Sequence, residues 1–127
     1  MSQRAILARA LAHDVGKYLA RAARNLPAEG PVPAVLVDML RRDLYAPSPS
    51  GLRPEQRFEV LVAELEPADQ ADARIAEARA GFASIAQLEA AVASAEPSAV
   101  RAAGAAARQI EDTLRALARE VSEAEGT

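Results

Sequence analysis

The chain has no cysteine and no tryptophan, and only 3% of its residues are aromatic. Without cysteine there are no disulfides and no thiolate metal sites, so no oxidising compartment is implied. No uninterrupted apolar run approaches the roughly 18–20 residues that a membrane span needs. The start, Met1-Ser2-Gln3-Arg4-Ala5, leads into an amphipathic pattern broken by charges and not into a signal-peptide core. A cytoplasmic protein with no membrane attachment is the expectation. The formal net charge of −3 argues against nucleic acid as the main partner. Histidine and lysine are nearly absent as well: His13 and Lys17 are the only residues of their kinds.

What fills the space is alanine. Half of the residues are hydrophobic although aromatics are scarce, and alanine has the best helix propensity, whereas β-branched and aromatic side chains favour strands. The fold class predicted is all-α, a compact bundle of about five helices with long N- and C-terminal helices, in one domain spanning 1–127. Leu7, Leu11, Val15, Tyr18, Ala22 and Leu26 mark the inner side of a first helix from about Arg4 to Leu26, capped by Ser2 and stopped by Pro27. Residues 27–33 are a connector rich in breakers. A short helix follows with Leu36, Met39 or Leu40, and Leu44 inward. Residues 46–53 are the most loop-like stretch, and Pro54 opens a helix with Phe58, Leu61, Val62 and Leu65 on its apolar side.

From Pro67, the apolar row Ala71, Ile75, Ala78, Phe82, Ile85, Leu88 and Val92 passes through Gly81, where a break or kink is expected because glycine costs about 1 kcal/mol inside a helix. After Pro97 the last helix carries a regular seam: Val100, Ala103, Ala107, Ile110, Leu114, Leu117 and Val121. Such a seam serves either a coiled-coil dimer or the inner face of a bundle. Its alanine-rich first half buries little area in a two-stranded pair, which favours the bundle, with a homodimer through another face still open. The tail 122–127 is expected to fray.

Charge is unevenly spread. Arg4, Arg9, Lys17, Arg21 and Arg24 against Asp14 make the first helix basic, while Glu59, Glu64, Glu66, Asp69, Asp72 and Glu77 make the middle acidic. Complementarity between packed helices is the favoured explanation over a basic docking surface for an acidic partner. Arg41, Arg42, Asp43 and Tyr45, beside the proline- and serine-rich loop, are weaker partner-binding candidates.

The one local pattern with chemical content is His13-Asp14-Val15-Gly16-Lys17. Histidine titrates near neutral pH and is the side chain most suited to proton, phosphate or metal chemistry there. The run resembles the His-Asp-x-Gly-Lys segment of HD-family phosphohydrolases, whose adjacent His and Asp ligate a metal. That family also needs a further histidine upstream, which this chain does not contain, so no metal is expected. The run is also similar to the phosphoacceptor helix of histidine kinases, where His is followed directly by Asp or Glu, and to histidine phosphotransfer bundles, where an exposed His lies beside basic residues. This resemblance implies His13 as acceptor with Asp14 and Lys17 as its catalytic neighbours, and Arg9 and Arg24 on the same side as binding residues. The basic residue stands four positions after His13, where kinases carry a small polar residue. Phosphotransfer domains place it three on, at Gly16 here. No Gly-rich nucleotide loop, Glu-x-x-His pair or hydroxyl with a base other than His13 is present, and no cofactor is expected. The leading expectation is a non-enzymatic adaptor that binds another protein, in bacterial signalling or regulation. A phosphotransfer-like protein is the alternative.

Overall fold

Proline and glycine placement divides the chain much as expected. The computed structural model describes residues 2–126; Met1 and Thr127, the latter the end of the expected frayed tail, lie outside the described residues. Helix is the only regular structure among them. In chain order these are α1 (Gln3–Ala10), a π-helical segment (Leu11–Lys17), a 3-10 turn (Ala23–Asn25), α2 (Ala34–Tyr45), α3 (Pro54–Glu64), α4 (Pro67–Gln70), α5 (Ala73–Gln87), α6 (Glu89–Ala93) and α7 (Pro97–Ala124). Five of the α-helices run eight residues or longer. None of the helices is long and apolar enough to cross a membrane. Pro54, Pro67 and Pro97 each occupy the first helical turn, where the missing N–H has no intrahelical partner in any case.

α7 is the axis of the bundle. All seven seam residues from Val100 to Val121 are buried, and the helix packs against α5 on one side and against α1, the π-helical segment and the 3-10 turn on the other. The seam is therefore core. α7 continues to Ala124. The Ser2 hydroxyl, which accepts from the Ala5 N–H at 3.1 Å as the N-cap of α1, also donates to Glu125 Oε1 at 2.8 Å.

Gly81 lies within an unbroken α5, contrary to the expected break. A β-carbon there would stand 2.7 Å from Ile110 Cγ1 and 2.9 Å from its Cδ1. The glycine serves close approach of α5 to α7, and the propensity it forfeits is recovered in packing. The break falls instead at Leu88, between α5 and α6. Ala71, expected inward, is exposed just after α4. In α2 the inner face is Val37, Leu40 and Leu44, with Leu36 half-buried and Met39 exposed.

The largest departure is in the first helix. It is α-helical only to Ala10, passes into seven residues of π-helix, and unwinds after Leu19. Tyr18, expected inward, is 51% exposed, and Leu19 takes its place in the core. The buried residues explain why. Leu7, Leu11, Val15, Leu19 and Ala23 recur every four residues, and so do Ala8, Ala12, Gly16 and Ala20. In an α-helix such rows drift around the axis, because a turn takes 3.6 residues. A wider π turn holds both rows against α7. Gly16 permits the approach: a β-carbon on it would lie 3.2 Å from the Glu111 Cα.

Two substitutions test these packing claims by chemical denaturation. Leu114→Ala should destabilise by about 2–4 kcal/mol, as for a fully buried leucine. Gly81→Ala should also destabilise, by about 1–3 kcal/mol of overpacking, although alanine favours helix. Stabilisation by Gly81→Ala would mean that α5 and α7 are less closely packed than described.

Candidate functional site

The basic N-terminal segment meets buried carboxylates. Arg4 of α1 makes a bidentate pair with Asp69 of α4, at 2.8 Å from Nε and 2.9 Å from Nη2. Arg21 donates to Asp43 of α2 at 2.9 Å, and Arg24 pairs with Glu111 of α7, which also accepts from Arg115 at 3.0 Å. The three carboxylate side chains are between 5% and 9% exposed. Internal complementarity thus accounts for these three arginines, although only Asp69 comes from the acidic middle of the sequence. Asp43 has a second duty. Where the first helix unwinds, the Ala22 N–H needs a new acceptor, and Asp43 Oδ2 supplies it at 3.0 Å.

Because Arg21 is drawn to Asp43, the N-terminal segment and the end of α2 enclose a cleft of about 590 Å³, closed on its third side by the residue 46–54 loop and Arg57 of α3. The loop is held by its own bonds. The Ser48 N–H donates to the Leu52 carbonyl at 2.9 Å and the Gly51 N–H to the Ser48 carbonyl at 2.8 Å, with Gly51 at φ +86°. Arg53 anchors it further, its Nε donating to the Tyr45 carbonyl at 2.8 Å and its guanidinium pairing with Glu89 at 3.1 Å. The cleft wall combines Tyr18, Leu52 and the prolines with charges from Asp14, Arg42 and Arg57. The Arg21 guanidinium stacks 4.8 Å from the centre of the Tyr18 ring.

The expected site residues are divided by this geometry. His13, Asp14 and Lys17 are all exposed on the π-helical segment, and Arg9 is exposed in α1. Asp14 lines the cleft, whereas His13 and Lys17 do not. Because a π turn takes just over four residues, His13 and Lys17 stand nearly one above the other. Arg24 pairs with buried Glu111 and makes a further long bond of 3.5 Å to the Lys17 carbonyl. Arg42 and Tyr45, noted as weaker candidates, line a second cleft of about 500 Å³ with Asp38, Arg41 and Glu89, and Arg42 is shared by both clefts. The part of Arg57 was not legible in the sequence, and that of Tyr18 was missed. Tyr18 was assigned to the core by α-helical spacing, and the strict period of four was the available signal for its exposure.

No known protein family, curated protein or solved structure matches this chain.

At the rim of the second cleft, Tyr45 donates its hydroxyl to the Ile85 carbonyl at 2.7 Å, tying α2 to α5. Burial, followed by the Glu89 carboxylate, pushes its pKa up from 10.0 to about 12, with Arg53 opposing. The folded state thus favours the neutral phenol. The associated stabilisation is complete below pH 10.0 and is lost as pH rises through about 12. In a Tyr18→Phe background, absorbance at the phenolate band should show a single midpoint near 12, and the melting temperature should fall over the same interval. A midpoint at 10.0 would show that the hydroxyl is solvated and its bond to Ile85 unimportant.

Proposed function

We propose that this bundle is a non-enzymatic interaction module, an adaptor that docks another protein in bacterial signalling or regulation and works in the cytoplasm. The observation that supports it is the cleft between the N-terminal segment, α2 and the hydrogen-bonded 46–54 loop. Its size falls within the range of ligand clefts, and it joins apolar faces to a few charged groups. A loop already ordered by its own bonds spends little conformational entropy on binding. The bacterial assignment comes from the alanine- and arginine-rich composition, which fits a GC-rich coding sequence.

Site-specific photocrosslinking in the native cell tests this reading. A crosslinker replacing Ser48 or Leu52 in the loop should capture a discrete partner. The same group at Gln109 or Arg119, exposed positions of α7 that do not line the cleft, should not. Capture only from the α7 positions would move the docking surface elsewhere and sink the proposal.

One observation favours a second reading, a phosphotransfer-like protein. His13 is exposed, with Lys17 on the next turn of the π-helical segment, and π turns are frequent at functional sites. In this reading an imidazole nitrogen attacks the phosphorus of an acyl phosphate on a receiver domain. The N–P bond forms, the bond to the aspartyl oxygen breaks, the carboxylate leaves, and the ring proton passes to water. Lys17 offsets the charge of the phosphoryl group. Incubation with a phosphorylated receiver should then give acid-labile label on wild type and none on His13→Gln, with the melting temperature unchanged within about 2 °C because the side chain is exposed. Label that persists in His13→Gln, or that never forms on wild type, removes this reading and leaves the adaptor.

A further inference from the structure

The charged residues that line the cleft are of two kinds. Of its charged residues, Arg21 and Asp43 neutralise each other at 2.9 Å. Arg42 and Arg57 are different: neither has a carboxylate within ion-pair distance among the described residues. Arg42 is exposed, but Arg57 is half-buried. Two guanidiniums that line one cleft without a carboxylate partner are open to an arriving carboxylate, with two parallel bonds where the geometry allows. Beside these cations lie the half-exposed Tyr18 ring, fixed by Arg21 stacked at 4.8 Å, and the Leu52 side of the loop. Asp14 is the remaining acid of the cleft, on the side formed by the π-helical segment. It repels a ligand that is anionic along its whole length and confines the anionic groups to the side of α2 and α3.

We infer that this cleft takes a short acidic segment of a partner protein, with carboxylates on Arg42 and Arg57 and an adjacent apolar side chain against Tyr18 and Leu52. The inference rests on the interaction-module reading and names the chemistry of its partner. The protein as a whole is acidic, with a net charge of −3. Long-range attraction therefore contributes little, and recognition depends on these two local cations. The rim needs little rearrangement to receive the segment, since the loop bonds from Ser48 and Gly51 and the anchor from Arg53 are already made.

Fluorescence anisotropy with labelled synthetic peptides tests it. The probe is a peptide with two glutamates flanking a leucine, compared with a lysine counterpart and with a version that has glycine in place of leucine. Wild type should bind the acidic leucine peptide saturably and at least about tenfold more tightly than the lysine peptide, and more weakly as salt rises. Arg42→Glu combined with Arg57→Glu should lose at least about tenfold, and Arg42→Glu alone, at an exposed position that leaves the fold intact, should lose several-fold. Arg119→Glu, on α7, should bind as wild type. The inference is overturned if no saturable binding occurs, or if the Arg42 and Arg57 variants bind as wild type. It is also overturned if the glycine peptide binds as tightly as the leucine peptide and inorganic phosphate displaces both, which would mark a simple anion site. If the peptides fail while crosslinks from Ser48 and Leu52 still capture a partner, the occupant is of another chemistry and the adaptor reading stands. Loss of both removes the two together.

Discussion

Three buried carboxylates fix the N-terminal segment to the rest of the bundle. Arg4, Arg21 and Arg24 each leave the same stretch of chain for an acid on a different element, Asp69 on α4, Asp43 on α2 and Glu111 on α7. Each carboxylate is largely withdrawn from water, so each would be costly without its arginine. The pairs therefore constrain more than they contribute in net energy. A segment displaced by one turn along α7 would leave these charges unmatched, and that penalty selects a single arrangement of the segment.

The second constraint is the close fit to α7. Gly16 meets the backbone of α7 at Glu111, and Gly81 meets Ile110 from α5. At Gly81 a β-carbon would overlap the Ile110 side chain, and at Gly16 it would press on the α7 backbone at 3.2 Å. On the N-terminal side the fit also requires the turn to widen, since rows of buried residues spaced by four cannot stay in line on a 3.6-residue helix. This widening rotates Tyr18 out of the core and brings Leu19 in. It also sorts the polar residues, with Asp14 turned to the cleft and His13 and Lys17 outside it.

The cleft follows from these constraints. The unwinding after Leu19 frees the Ala22 N–H, Asp43 accepts it, and the same aspartate holds Arg21 over Tyr18. One wall is thereby built by a repair of backbone hydrogen bonding. The other is a loop that the sequence marks only by its prolines and serines, yet it is ordered by bonds among Ser48, Gly51 and Leu52 and by Arg53. Two cations, Arg42 and Arg57, are left facing the space between.

The all-α class, the starts of α3, α4 and α7 at prolines, the cap at Ser2 and the seam of α7 are legible in the residues alone, because each depends on local propensity or on a period read along one element. The roles of Gly16 and Gly81 emerge from helix packing, since a glycine that permits close approach and one that breaks a helix are the same letter until the neighbouring helix is known. The pairing of Arg24 with Glu111 was settled there too, because α7 supplies the buried carboxylate. The exposure of Tyr18 was legible in principle, in the period of four, but that period has a meaning only against the surface of α7 that sets the pitch of the segment packed on it. The cleft itself joins residues far apart in the chain, Asp14, Arg42 and Arg57, and no spacing along the sequence carries a distance between separate helices.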